Sequence, residues 1–201
     1  MDNNKITKYL ILVFGYLAVL YPPWVRIGSL QWGFNSSLIP NLFPLFGLTA
    51  FSLLWLHSIS GVFEPWLKKY INFDKYVHDT SILILICIIA HPLLLLLSLG
   101  FNTSSIYAIY GVKYIWFAII GWCLLITYDV GKALKKYNFF VKHWNAILTI
   151  STIGFLLTFF HSLNLGSDLQ SGLLRIVWIF YGTTAILSTI YTYGIKRFLK
   201  L

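Results

Sequence analysis

The chain has 201 residues, of which 58% are hydrophobic and only 10% charged, where a soluble domain carries about 25% charged residues. That composition excludes a soluble enzyme and leaves an all-α membrane protein of one domain, residues 1–201, with almost no length for a soluble part. The formal net charge of +9 does not imply nucleic acid, because basic residues gather beside membrane spans on the cytoplasmic side.

Six apolar runs are long enough to cross a bilayer, near Tyr9–Val25, Leu42–Gly61, Val77–Leu99, Ile106–Tyr128, Ala146–Leu165 and Leu173–Ile195. Runs approaching 20 residues without alternation imply helices rather than strands. The fold expected is therefore a six-transmembrane-helix bundle, and no internal repeat is evident. The first run follows Lys5 and Lys8 as a signal peptide would, but Tyr21-Pro22-Pro23-Trp24 is a poor cleavage site, so a retained first span is expected.

Twelve of the fifteen basic residues fall on one side of this arrangement: Lys5 and Lys8, then Lys68, Lys69 and Lys75, then Lys132, Lys135, Lys136 and Lys142, then Lys196, Arg197 and Lys200. Only Arg26, Lys113 and Arg175 fall on the other. The positive-inside rule then places both termini in the cytoplasm, with a bacterial cytoplasmic membrane the expected location. Trp24, Trp32, Trp66, Trp116 and Trp144 lie near span ends and suit interfacial anchoring. Cys87 and Cys123 form neither a CxxC nor a CxxCH pattern. They read as packing residues, without a disulfide or covalently attached haem.

The third run, DKYVHDTSILILICIIAHPLLLLL, holds His78 and His91. Thirteen residues of helix separate them by roughly 20 Å along the axis and about 220° around it, so on a straight helix they do not share a face. Pro92 would remove a backbone bond near Ile88 and can kink the turn that holds His91. His161 lies in the outer half of the fifth run, at a depth similar to His91. An ionisable side chain within a span is a functional hypothesis by default. Two neutral imidazoles on facing helices are good axial ligands for haem iron, with Arg175 or Lys113 available to propionates. The same residues also admit hydrogen-bonded structural histidines or a proton relay. A non-haem metal site is disfavoured, since no carboxylate or thiolate stands at ligand spacing beside either His. His143, at the entrance of the fifth run, reads as interfacial, and His57, in SLLWLHSIS, as a packing residue.

These residues resemble the ferric-reductase-like transmembrane family, which includes ferric reductases, NADPH oxidases and the MsrQ-type haem subunits of methionine-sulfoxide reductases. FDKYVHDTSILILICIIAHPLLLL looks like that family's third span. GLTAFSLLWLHSISGVFEPWLKKYINFD is similar to its second span and basic loop, and HWNAILTISTIGFLLTFFHSL to its fifth, so the likeness covers Phe46–Leu165. The resemblance implies two His on the third span and two on the fifth. His91 and His161 match the outer pair and His78 the inner position on span three. Leu148 stands where the fourth ligand is expected, which leaves one haem b or, with His143 reaching His78, two.

The resemblance further implies an oxidoreductase membrane subunit that carries electrons. The donor would be a separate cytoplasmic flavoprotein or quinol, and the acceptor, which a protein could supply, would lie at the outer face. No Gly-rich dinucleotide or phosphate loop is present, so no flavin is expected on this chain and nucleotide chemistry belongs to a partner. Two other readings stay open: a membrane scaffold with degenerate haem sites, which Leu148 favours, and a histidine-based proton or ion transporter.

Overall fold

A computed structural model describes residues 3–29, 38–110 and 112–196; Trp32, Arg197 and Lys200 lie outside them. The described chain is helical, with α1 (Asn3–Ser29), α2 (Leu38–Val62), α3 (Glu64–Leu67), α4 (Phe73–Ser98), α5 (Thr103–Ile109), α6 (Val112–Ala133), α7 (Asn138–Lys142), α8 (Trp144–Leu165) and α9 (Gly172–Thr189). The last helix widens into a π-helix over Ile190–Ile195. Six of these helices, the last counted through Ile195, are long and apolar enough to cross a membrane. Exposed Leu10, Phe14, Leu17, Leu93, Leu97, Ile176 and Phe180 face the medium with side chains that water would not tolerate in such number. The chain is an integral membrane protein, and lipid is its solvent.

The expected runs match these helices except the fourth. Helix α5 stops at Tyr110, whose backbone is extended at φ −115° and ψ 145°, and the span begins at Val112 rather than Ile106. Hydropathy is high on both sides of Tyr110, so composition alone does not mark the break. Helix α1 runs on through Pro22 and Pro23 to Ser29, and α4 runs through Pro92 to Ser98. Both cysteines are free thiols.

The chain divides into two compact units, residues 1–101 and 102–201. In the first, α1 packs on α2 and α2 on α4. Helix α4 starts on Asn72, whose side-chain oxygen accepts from the Lys75 N–H at 3.0 Å, a normal N-cap. It ends in a Schellman closure: Gly100 at φ +57° lets its N–H reach the Leu97 carbonyl, and the Phe101 N–H reaches that of Leu96 at 2.8 Å. Leu48, Phe51, Trp55, Ile84, Cys87 and Ile88 form the buried contact between α2 and α4.

In the second unit α6 packs on α8 and α8 on α9. The α6–α8 contact is made backbone to backbone. A Cβ placed on Gly154 would lie 2.7 Å from the Gly121 carbonyl and 2.8 Å from the Leu125 nitrogen. Such small-residue crossings hold helices together in lipid, where burying leucine against leucine gives no advantage over burying it in acyl chains. Helix α9 is tied on by the Trp178 indole N–H, which donates to the Ser162 hydroxyl at 2.8 Å, and by Phe159, whose ring occupies the space beside Gly182.

The two units share an order of parts that the residues themselves do not show as a repeat. Each contains a long helix, a one-turn helix and a second long helix packed on the first: α2–α3–α4 and α6–α7–α8.

Gly154→Ala should destabilise the detergent-purified protein by about 1–3 kcal/mol, the usual cost of overpacking. Gly61→Ala, with nothing within 4 Å of the added Cβ, should be neutral or gain up to about 1 kcal/mol of helix propensity. Thermal unfolding followed by circular dichroism reads both; equal midpoints for the two variants would contradict the close crossing.

Candidate imidazole site

The mid-span histidines are held in the same way in each unit. On α4, His91 Nδ1 lies 2.7 Å from the carbonyl oxygen of Phe43 on α2. On α8, His161 Nδ1 lies 3.1 Å from the carbonyl oxygen of Tyr114 on α6. A carbonyl can only accept, so in both rings Nδ1 carries the proton and donates it. In the neutral imidazole the lone pair then resides on Nε2. This is the tautomer in which metal-bound histidines are commonly fixed, with the second nitrogen anchored to a backbone carbonyl or carboxylate.

The sequence makes these carbonyls reachable. In a helix the side chain four residues on leans back over a given carbonyl. Four residues after Phe43 stands Gly47, and four after Tyr114 stands Ala118. At Gly47 the effect is direct: a Cβ there would fall 2.9 Å from both Cε1 and Nδ1 of His91. The imidazole therefore lies in the space that glycine leaves against the α2 backbone. Phe43 itself flanks the ring, with centroids 5.6 Å apart. Neither Phe43 nor Gly47 was a candidate from the sequence. The signal that finds them is an aromatic residue 48 or 47 residues before each mid-span histidine, with a small residue four positions after it.

His57 adopts the other tautomer. Its Nε2 lies 2.5 Å from the Thr80 hydroxyl oxygen. That hydroxyl spends its own proton on the Tyr76 carbonyl at 2.6 Å, so it accepts and His57 Nε2 donates. The Tyr76 ring packs edge-on against the imidazole at 5.5 Å, and the Ser60 hydroxyl donates to the His57 carbonyl. His57 thus bridges α2 and α4 as a structural hydrogen bond, with its ligating nitrogen already used.

His78 and His143 are both exposed. On α4, His78 leaves the helix on a different side from His91, as about 220° of rotation requires, and Pro92 does not change this because the helix passes through it unbroken. His143 sits between α7 and α8, where its Nδ1 donates to the Phe139 carbonyl at 2.9 Å and its ring lies 4.4 Å from that of Phe139. Leu148 is one turn into α8 and carries no ligand. Arg175, expected near the outer end of the span, donates to the Leu169 carbonyl at 2.7 Å. Lys113 stands over the rings of Tyr114 and Phe117.

Comparison with family models, with curated proteins and with solved structures finds no match to this chain. The chemistry of the imidazoles therefore carries the functional argument.

Nitrogen-15 imidazole shifts of histidine-labelled, haem-free protein should report Nδ1–H neutral rings at His91 and His161 and an Nε2–H ring at His57. Gly47→Leu should remove the Nδ1–H preference at His91 and leave His161 unchanged, since the two bonds lie in different units. An unaltered His91 spectrum in that variant would refute the role given to Gly47.

Proposed function

We propose that the protein is a haem-b-binding electron-transfer subunit of the ferric-reductase-like kind, with His91 and His161 as the axial ligands. The observation that carries this reading is the shared tautomer: two mid-span imidazoles, one in each unit, are each fixed through Nδ1 to a neighbouring backbone carbonyl. A purely structural histidine needs only its N–H satisfied, as at His57 through Nε2, whereas both mid-span rings give Nδ1 to a backbone carbonyl, the anchoring in which metal-bound histidines are commonly fixed. Haem b, when bound, would supply one-electron redox chemistry within the membrane.

The chain's own part is to hold the ligands. Phe43 and Tyr114 accept the Nδ1 protons, which fixes the tautomer of both rings and raises the basicity of Nε2. The apolar side chains of α4 and α8 keep water from the site. Arg175 and Lys113 stand at the starts of α9 and α6 and would supply positive charge for propionates. His78 and His143 are the residues proposed for a second haem, with Leu148 in place of a ligand on α8 setting the default at one.

On this reading both termini and the two lysine-bearing loops face the cytoplasm, in a bacterial cytoplasmic membrane. Electrons enter from a separate flavoprotein or from quinol and leave at the outer face, where a periplasmic protein is one candidate acceptor. The chain contributes cofactor ligation and orientation to an oxidoreductase, and no side chain of its own is assigned a bond-making step.

The test is a haem-to-protein ratio by pyridine haemochrome on detergent-purified protein, with a dithionite-reduced difference spectrum. One haem per chain is expected, lost in His91→Ala and in His161→Ala and kept in His57→Ala. Two haems would bring in His78 and His143. A well-folded preparation without haem, from cells supplied with it, would overturn the proposal.

A further inference from the structure

The two units place a lysine-bearing loop at the same position, between the long helices of each pair, but they treat its charge differently. In the first unit two of the three lysines, Lys68 and Lys75, pair with three carboxylates. Lys68 Nζ lies 2.7 Å from a Glu64 oxygen and 3.6 Å from one of Asp74, and Lys75 Nζ lies 3.1 Å from Asp79. The Glu64 carboxylate, foremost, holds the Lys68 ammonium above its ordinary pKa.

In the second unit Lys132, Lys135, Lys136 and Lys142 meet a single carboxylate, Asp129, three residues before Lys132. From Val130 to His143 the sequence has no acidic residue at all. Three of these lysines lie over aromatic rings, as Lys68 does over Phe73 in the first unit, but without its carboxylates: Lys135 Nζ is 3.6 Å from the centre of the Trp144 ring, Lys136 is 5.1 Å from that of Tyr137 and Lys132 is 5.9 Å from that of Tyr128. Retention of positive charge on the cytoplasmic side does not require this difference, because both loops would face the same way.

Between the lysines the loop exposes apolar side chains. Tyr137 is 53% exposed, Phe139 64% and Val141 54%, around the single turn of α7. Four ammonium groups with a single carboxylate among them, interleaved with exposed aromatic residues at the end of two membrane-spanning helices, form the composition that settles into the headgroup layer of an anionic leaflet. We infer that the α6–α7–α8 junction is a binding surface for anionic phospholipid headgroups, with Lys132, Lys135, Lys136 and Lys142 facing the phosphates and Tyr137 and Phe139 seated among the upper acyl chains. The first unit's loop, its charge balanced within itself, has no such preference. The inference rests on membrane insertion and not on haem.

The experiment uses the full chain reconstituted in phosphatidylcholine bilayers with a small fraction of spin-labelled phosphatidylglycerol or phosphatidylcholine. The motionally restricted fraction of each label gives their relative association constant. A preference for phosphatidylglycerol of roughly threefold or more is expected, falling towards one at about 1 M salt, where the Debye length shrinks to about 3 Å. Replacing Lys132, Lys135, Lys136 and Lys142 with Gln should abolish it. Replacing Lys68, Lys69 and Lys75 with Gln should leave it intact, with circular dichroism checking the helices of both variants.

No preference in the unaltered protein, or one that survives high salt, overturns the inference even if the quadruple variant fails to fold. Equal loss in the two variants also overturns it, since that would be a response to net charge. Failure of haem binding, by contrast, would leave every one of these outcomes unchanged.

Discussion

An imidazole within a bilayer must give its N–H to something. Water is not at hand, an unsatisfied polar group in hydrocarbon costs several kcal/mol, and helices use up most of their carbonyl capacity internally. The arrangement here depends on the second lone pair of a helical carbonyl, left open where the residue four positions on is too small to cover it. Gly47 does this for Phe43, and Ala118 stands in the matching place for Tyr114. The identity of the protonated nitrogen in each ring follows from that one acceptor.

The same need for close contact shapes the rest of each unit. Between α6 and α8 the backbones meet at Gly121 and Gly154, and between α8 and α9 an aromatic ring fills the space beside Gly182. Long apolar side chains such as Leu93 and Leu97 point outward, where they cost nothing in lipid. Large apolar residues can face outward at no cost while the closest crossing is made by glycines, which is what a solvent of acyl chains selects, although α2 and α4 still bury Phe51, Trp55 and Ile84. Polar side chains at the crossings, among them Ser162 with Trp178 and Thr80 with His57, add directional bonds where dispersion alone does not choose between orientations.

Much of this was legible in the sequence. Apolar runs of near-membrane length located the six spans, because hydrophobic length is the one property that a bilayer measures directly. The start of α6 was misplaced because Tyr110 breaks the helix by its backbone angle, and hydropathy does not register a backbone angle. His91 and His161 stood out as ionisable residues in apolar runs, and His57 was set apart from them as a packing residue. What could not be read was the reason for the distinction. The tautomer is decided by partners 48, 47 and 23 residues away, and a pattern search along one helix does not see the neighbour. The order of parts common to α2–α3–α4 and α6–α7–α8 was hidden for a similar reason: the two sets share that order and one imidazole bond, while their side chains differ elsewhere.

The bond from His91 to Phe43 also acts as an alignment pin. Two apolar helices in lipid can slide past one another by a turn, about 5.4 Å, and exchange one set of leucine contacts for another of nearly equal energy. Such a slide would carry the imidazole away from Gly47, the only glycine of α2 before Gly61, whose missing Cβ leaves the space the ring occupies. The pair is thereby held to one axial register by a directional bond about 2.7 Å long. Losing it would change less how firmly α2 and α4 adhere than how many ways they do so.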